Sequence, residues 1–184
     1  MKTDNMDYSK FIEKKINEAL TWTPSANRDV LEFIFNFAYC NGINEESYEH
    51  IRSAFRAGYC YYFANMLKLA FNRGECCLAA PFGHIIWVDE DDTPYDIEGV
   101  YTGEATFFIP ISYLGVNIED FMHVPDKNHY DTKEECMDMI YKYCKDKDLL
   151  NKECTKKSLV FCKICLNLDE NWEPDWLRED MNCF

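Results

Sequence analysis

Residues 58–99 read GYCYYFANMLKLAFNRGECCLAAPFGHIIWVDEDDTPYDIEG, and the fold turns on how this stretch is parsed. Over 59–72 the apolar residues Tyr59, Phe63, Met66, Leu67, Ala70 and Phe71 recur at the spacing of one helix face, and Arg73-Gly74 closes the pattern. After Gly74 the period shortens. Residues 76–80 and 84–88 are apolar runs split by Pro81 and Gly83, an acidic turn follows over 89–94, and 95–100 returns to strand texture. A helix feeding a hairpin and one more strand puts Cys60 in the first helical turn, His84 at a strand start and Asp96 in the next strand.

The segment before this stretch is helical by the same test. Residues 7–20 align Phe11, Ile12, Ile16, Ala19 and Leu20 until Thr21-Trp22-Thr23-Pro24 breaks the period. Ser25 or Asn27 is positioned to cap a second helix reaching Cys40, where Asn41-Gly42 stops it. Residues 44–57 suit a third, with Asn44 as cap, Glu45 and Glu46 in the first turn and Arg52 and Arg56 late, each sign matching the helix dipole.

Downstream, 106–109 reads as a strand and 117–123 as a short helix. Residues 131–145 form a helix capped by Asp131 or Thr132, with Cys136, Met139, Ile140 and Tyr143 on one stripe. Residues 158–168 read as a late strand, and the acidic tail is expected to pack through Trp172, Trp176 and Leu177. Nothing repeats and no low-complexity linker divides the 184 residues, so one domain is expected: a helical part over 1–57, a core over 58–168 and a tail over 169–184. The class is α+β, with N-terminal helices packed on a small antiparallel sheet.

The formal charge of −14 is concentrated in residues 59–130, where eleven acids face three bases. Such a surface repels phosphate backbones, which argues against direct nucleic-acid binding, and it favours a cationic amine or basic peptide as partner. A solvated acidic surface that keeps the protein soluble accounts for the charge equally well. No apolar run approaches the roughly 20 residues of a membrane span, and the opening MKTDNMDYSK carries acids where a signal peptide places a basic and then an apolar segment. The expectation is a cytoplasmic protein whose ten cysteines are mostly reduced thiols.

A cysteine attacks as thiolate, and an ordinary thiol near pKa ~8.5 needs help to ionise at neutral pH. The first turn of a helix offers Cys60 unpaired N–H groups and the positive end of the dipole. His84 can accept its proton, and an acid on the neighbouring strand can orient the imidazole; alternation puts Asp96 or its rival Glu98 opposite His84. Cys76 and Cys77 compete as nucleophiles but sit in a strand without dipole assistance. His50 belongs on a helix surface, and His123 and His129 fall near an irregular segment containing Pro125. Cys162 and Cys165 form a lone CxxC without the second pair a zinc ribbon needs, and Asp89 to Asp92 lack the rest of a calcium loop. No metal and no cofactor is expected.

The order of Cys60 at a helix start, His84-Ile85-Ile86-Trp87 opening a strand and Tyr95-Asp96 on the next resembles the transglutaminase-like branch of the papain-like thiol superfamily. Arylamine N-acetyltransferases and some bacterial peptidases share that order. The resemblance implies a papain-like, transglutaminase-like core with Cys60 as nucleophile, His84 as general base and acid, and Asp96 as orienter. The sequence contains no glutamine to help hold an oxyanion. That role falls to the Cys60 backbone N–H with a second donor such as Tyr59, Tyr61 or an Asn, and Trp87 is a further substrate-side candidate. The implied function is a cysteine-dependent acyl-transfer or hydrolytic enzyme, whether peptidase, amidase or transglutaminase-like. It would act through a thioester acyl-enzyme on a protein, peptide or small amide or amine. The alternative is a non-catalytic acidic binding or inhibitor protein on a degenerate thiol-enzyme scaffold.

Overall fold

The computed structural model describes residues 8–40, 45–56, 58–104, 107–119 and 132–181. The expected stops and caps at Asn41, Gly42, Asn44 and Asp131, the histidines His123 and His129, and most of the helix expected over 117–123 lie outside the described residues. Four helices come first: α1 (Tyr8–Trp22), α2 (Arg28–Cys40), α3 (Glu45–Arg56) and α4 (Cys60–Phe71). Five strands follow, β1 (Glu75–Ala80), β2 (His84–Val88), β3 (Pro94–Asp96), β4 (Gly99–Val100) and β5 (Phe107–Pro110). After a 3-10 turn over Ile111–Leu114 come α5 (Lys133–Asp146), α6 (Glu153–Cys165) and α7 (Asp175–Met181). The chain is thus α+β, with helices N-terminal to an antiparallel sheet in the order β4-β3-β2-β1-β5. Among the described residues no helix is long and apolar enough to cross a membrane.

Local chemistry sets the helix starts. Asn27 caps α2, its Oδ1 accepting from the Asp29 N–H at 2.9 Å, while its own N–H donates to the Tyr95 hydroxyl at 2.7 Å. That second bond fastens the α2 entry to β3. Thr132 caps α5 in a reciprocal box with Glu135.

The strand pairing sorts the sheet's faces. Leu78 lies opposite Ile85 and Trp87 opposite Tyr95, and these side chains join the core built by α1 to α4. Alternation then places His84 and Ile86 on the other face, with Cys77 and Ala79. A second core joins Ala80, Phe107 and Ile109 to Met137 and Ile140 of α5 and to Leu159 and Cys162 of α6; Trp172, Trp176 and Leu177 pack against it.

Two expectations change. The strand expected over 158–168 is helix α6, because the buried positions Thr155, Leu159, Cys162 and Lys163 follow a three-to-four spacing. Cys162 therefore points into the core while Cys165 is exposed, and among the described residues no group of three or more metal-ligating side chains is assembled. The strand expected over 95–100 breaks into β3 and β4, because the Asp96 carboxylate accepts from the Glu98 N–H at 2.8 Å and turns the chain.

Gly74, at the α4 to β1 turn, has φ +66, and a Cβ there would lie 2.4 Å from the Val88 carbonyl oxygen and 2.7 Å from the Trp87 indole nitrogen. Gly74→Ala is expected to cost about 2–4 kcal/mol in denaturant unfolding, since the left-handed backbone and the backbone clash add. A change below about 0.5 kcal/mol would show that the turn relaxes freely.

Candidate active site

Cys60 is the first residue of α4, and the residue before it, Tyr59, caps the helix without a side-chain hydrogen bond. A Ser, Thr, Asp or Asn at that position would spend first-turn N–H groups on its own oxygen. Here the backbone N–H of Tyr61 reaches the Cys60 sulfur instead, and the N–H of Ile85 joins it from β2. The thiol is partly buried and hydrogen-bonded to His84. His84 in turn donates from Nε2 to Asp96 Oδ2 at 3.2 Å, and both of these side chains are almost entirely covered. With Nε2 engaged by the carboxylate, Nδ1 is the nitrogen left for the sulfur.

The electrostatics follow from that chain of contacts. Burial pushes the Cys60 thiol up, but the hydrogen bond to His84, the Ile85 and Tyr61 amides and the imidazole's charge outweigh it, holding the thiol below its ordinary value. Burial pulls the His84 imidazole down, yet hydrogen bonds to Asp96 and Cys60 and the charges of both overcome this and raise it to about 9. Each shift favours the charged partner, so the pair is biased towards thiolate and imidazolium. The rival thiols go the other way: burial raises Cys76 to about 11 and Cys77 to about 12.

The structure thus brings Cys60, His84 and Asp96 into one hydrogen-bonded line and separates the other candidates from it. Glu98 turns away to ion pairs with Arg52 and Arg56, the latter at 3.6 Å. Trp87 is fully buried, donates its indole N–H to the Arg73 carbonyl at 3.0 Å and packs on Phe71, which places it in the core and away from any substrate. The Tyr61 side chain is buried against Tyr62, and its backbone N–H is what reaches the Cys60 sulfur. Tyr59 remains 51% exposed beside the thiol. His50 lies on α3, in the helical layer.

Sequence reasoning did not single out Tyr101, whose ring packs beside the His84 imidazole with centroids 5.5 Å apart and planes tilted by 33°. Its hydroxyl folds back over Gly103, where a Cβ would come within 2.3 Å of the ring. Tyr101 lies five residues after Asp96 and just past the end of β4, where no periodicity marks one face. The acidic turn is also placed differently from a cleft lining. Exposed Glu90, Asp91 and Asp92 lie at the far end of β2 from His84, and Asp89 is bound by Arg73 at 2.6 Å.

Residues 40–152, well over half of the chain, match the family described as Phage YunG-like protein. The chain belongs to that family. The Phage YunG-like match contains α3, α4, all five strands and the Cys60, His84 and Asp96 positions. No transglutaminase-like or papain-like family is detected, which overturns the family resemblance drawn from residues 58–99. The reason is physical: a thiol at a helix start, a strand histidine and an orienting acid make a geometry that unrelated chains can share, so their order reports a site and not an ancestry. No curated protein and no solved structure matches this Phage YunG-like chain.

Proposed function

We propose that the protein is a cysteine-dependent acyl-transfer or hydrolytic enzyme working through a thioester acyl-enzyme. The observation that carries this reading is the hydrogen-bonded line from Cys60 through His84 to Asp96, with the thiol lowered and the imidazole raised to about 9. In the first step the Cys60 thiolate attacks a carbonyl carbon of an amide or ester. The bond to the leaving group breaks, and the His84 imidazolium gives that group its proton. In the second step water or an amine attacks the thioester, neutral His84 takes its proton, and the carbon–sulfur bond breaks to return the thiol pair. Asp96 holds the ring in the tautomer that serves both steps. The Cys60 backbone N–H, in the first turn of α4, is one donor for the oxyanion.

The substrate class is a protein, peptide or small amide, with no nucleic acid and no membrane in its recognition. The exposed acids stand at the opposite end of β2 from the thiol, so they do not dictate the charge of the acyl donor. A cytoplasmic setting suits a nucleophilic thiol, and the thiols of the site and the sheet, Cys60, Cys76 and Cys77, are free. That same acidic turn favours a second reading, a surface that binds a basic macromolecule. Capture of such a partner that survives Cys60→Ala and is lost at high salt would support it.

Mass spectrometry after brief exposure to p-nitrophenyl acetate tests the enzyme reading. One acetyl group on the peptide carrying Cys60, released again by added amine or water, is expected. Acetylation of the exposed Cys154 and Cys165 in preference to Cys60 would contradict it. For an amide substrate the rate should rise with pH as the thiolate forms and fall as pH passes about 9, where His84 loses the proton it must donate.

A further inference from the structure

The His84 imidazole has two polar partners, the Asp96 carboxylate of β3 at 3.2 Å and the Cys60 sulfur of α4. The first contact is at the long end of the ordinary N–H···O range of about 2.7–3.2 Å, and rotation of an imidazole about its bond to Cβ is a broad torsion. Two such contacts leave the ring some play, whereas proton transfer at the thiol needs each nitrogen to keep its own partner. A third contact narrows that play. The Tyr101 ring lies beside the imidazole, with centroids 5.5 Å apart and planes 33° from parallel.

Tyr101 is itself fixed from three directions. Its backbone N–H donates to the Pro94 carbonyl at 2.8 Å, which ties it to the start of β3. Its ring meets Phe108 of β5 edge-on, with centroids 6.1 Å apart and planes at 80°, and packs against the buried cluster of Cys77, Ala79 and Ile86 on the sheet face that carries His84. Gly103 closes the third side. A Cβ there would run into the phenol ring and its hydroxyl, so the ring keeps its place only while residue 103 has no side chain. Gly103 does not have a positive φ, so the close approach of Tyr101, and not the backbone conformation, is what calls for glycine.

We propose that Tyr101 is a positioning residue for the acyl-transfer site: its ring, seated over Gly103, holds the His84 imidazole so that Nε2 stays on Asp96 and Nδ1 on the Cys60 sulfur. Its consequence for rate rests on the acyl-transfer reading. Proton NMR of the full chain near neutral pH tests the positioning directly. The His84 ring proton shared with Asp96 should give a downfield, slowly exchanging resonance, identified by its absence in His84→Ala. Tyr101→Phe keeps the ring and should keep that resonance, with acetylation of Cys60 by p-nitrophenyl acetate within about twofold of the wild type. Tyr101→Ala and Gly103→Ala, the second of which displaces the ring without altering it, should both lose the resonance and slow acetylation about tenfold. All variants are first shown to melt cooperatively, and the exposed Gly103 keeps the test decisive if Tyr101→Ala does not fold. Absence of the resonance from the wild type, its survival in Tyr101→Ala or Gly103→Ala, or its loss in Tyr101→Phe would overturn the proposal. If wild-type Cys60 is not acetylated, the acyl-transfer reading fails while the resonance still decides the role of Tyr101.

Discussion

His84→Ala is expected to slow acetylation of Cys60 by p-nitrophenyl acetate about 10²–10⁴-fold at neutral pH, the range typical of a positioned general base. Two effects combine. The hydrogen bond and charge that lower the thiol disappear together, leaving burial as the largest influence on it, and burial raises the thiol. The proton donor for the leaving group is lost as well. Free imidazole should restore part of the rate, because the position emptied by the variant lies beside the sulfur. Asp96→Asn is expected to lose less, since the ring keeps its nitrogen near the thiol while its tautomer is no longer fixed. A rate in His84→Ala within twofold of the wild type, with Tm unchanged, would show that the imidazole takes no part.

Trp87→Ala is expected to lower stability by about 3–5 kcal/mol, a large share of the roughly 5–15 kcal/mol that holds a domain together. The ring is fully buried between Phe71 of α4 and Tyr95 of β3, and its N–H is the partner of the Arg73 carbonyl at the α4 to β1 turn. Removing it leaves a cavity on the sheet's helical face and orphans that carbonyl. Trp87→Phe keeps much of the volume but not the donor, so about 1–3 kcal/mol is expected from the unpaired carbonyl alone. Urea unfolding of the two variants separates packing from hydrogen bonding. Equal losses in both would assign the whole effect to the indole N–H.

The parts of this fold legible in the sequence are those where one periodicity dominates. The apolar spacing from Phe63 to Phe71 marks α4, and the shift to short runs after Gly74 marks β1 and β2, which together put Cys60 and His84 where they are. The segment 153–165 misleads because a lysine occupies its buried stripe. Lys163 is buried with its Nζ donating to the Glu170 carbonyl at 2.7 Å, so the helical face looks interrupted while Val160, Phe161 and Ile164 suggest a strand. Asp96 hides its second task for a related reason. Between Tyr95 and Ile97 it reads as one polar position of a strand, whereas its two oxygens divide between His84 and the Glu98 N–H, ending the strand and orienting the ring at once.

Other features had no sequence signal at all. The choice between Asp96 and Glu98 rested on which acid α3 would claim, and that required Arg52 and Arg56 to be seen beside Glu98. The packing of Tyr101 beside His84 joins the start of β2 to the chain beyond β4, so spacing along the chain cannot reveal it.

Cys60 is proposed to be a thiol activated by its place at the start of α4 and by His84. Timed iodoacetamide labelling from pH 5 to 9, with every cysteine mapped by mass spectrometry, tests that activation. At about pH 6 Cys60 is expected to react roughly tenfold or more faster than the exposed Cys154 and Cys165, and this lead should disappear in His84→Ala. A Cys60 that labels no faster than those two, with a rate climbing only around the ordinary thiol pKa near ~8.5, would contradict it.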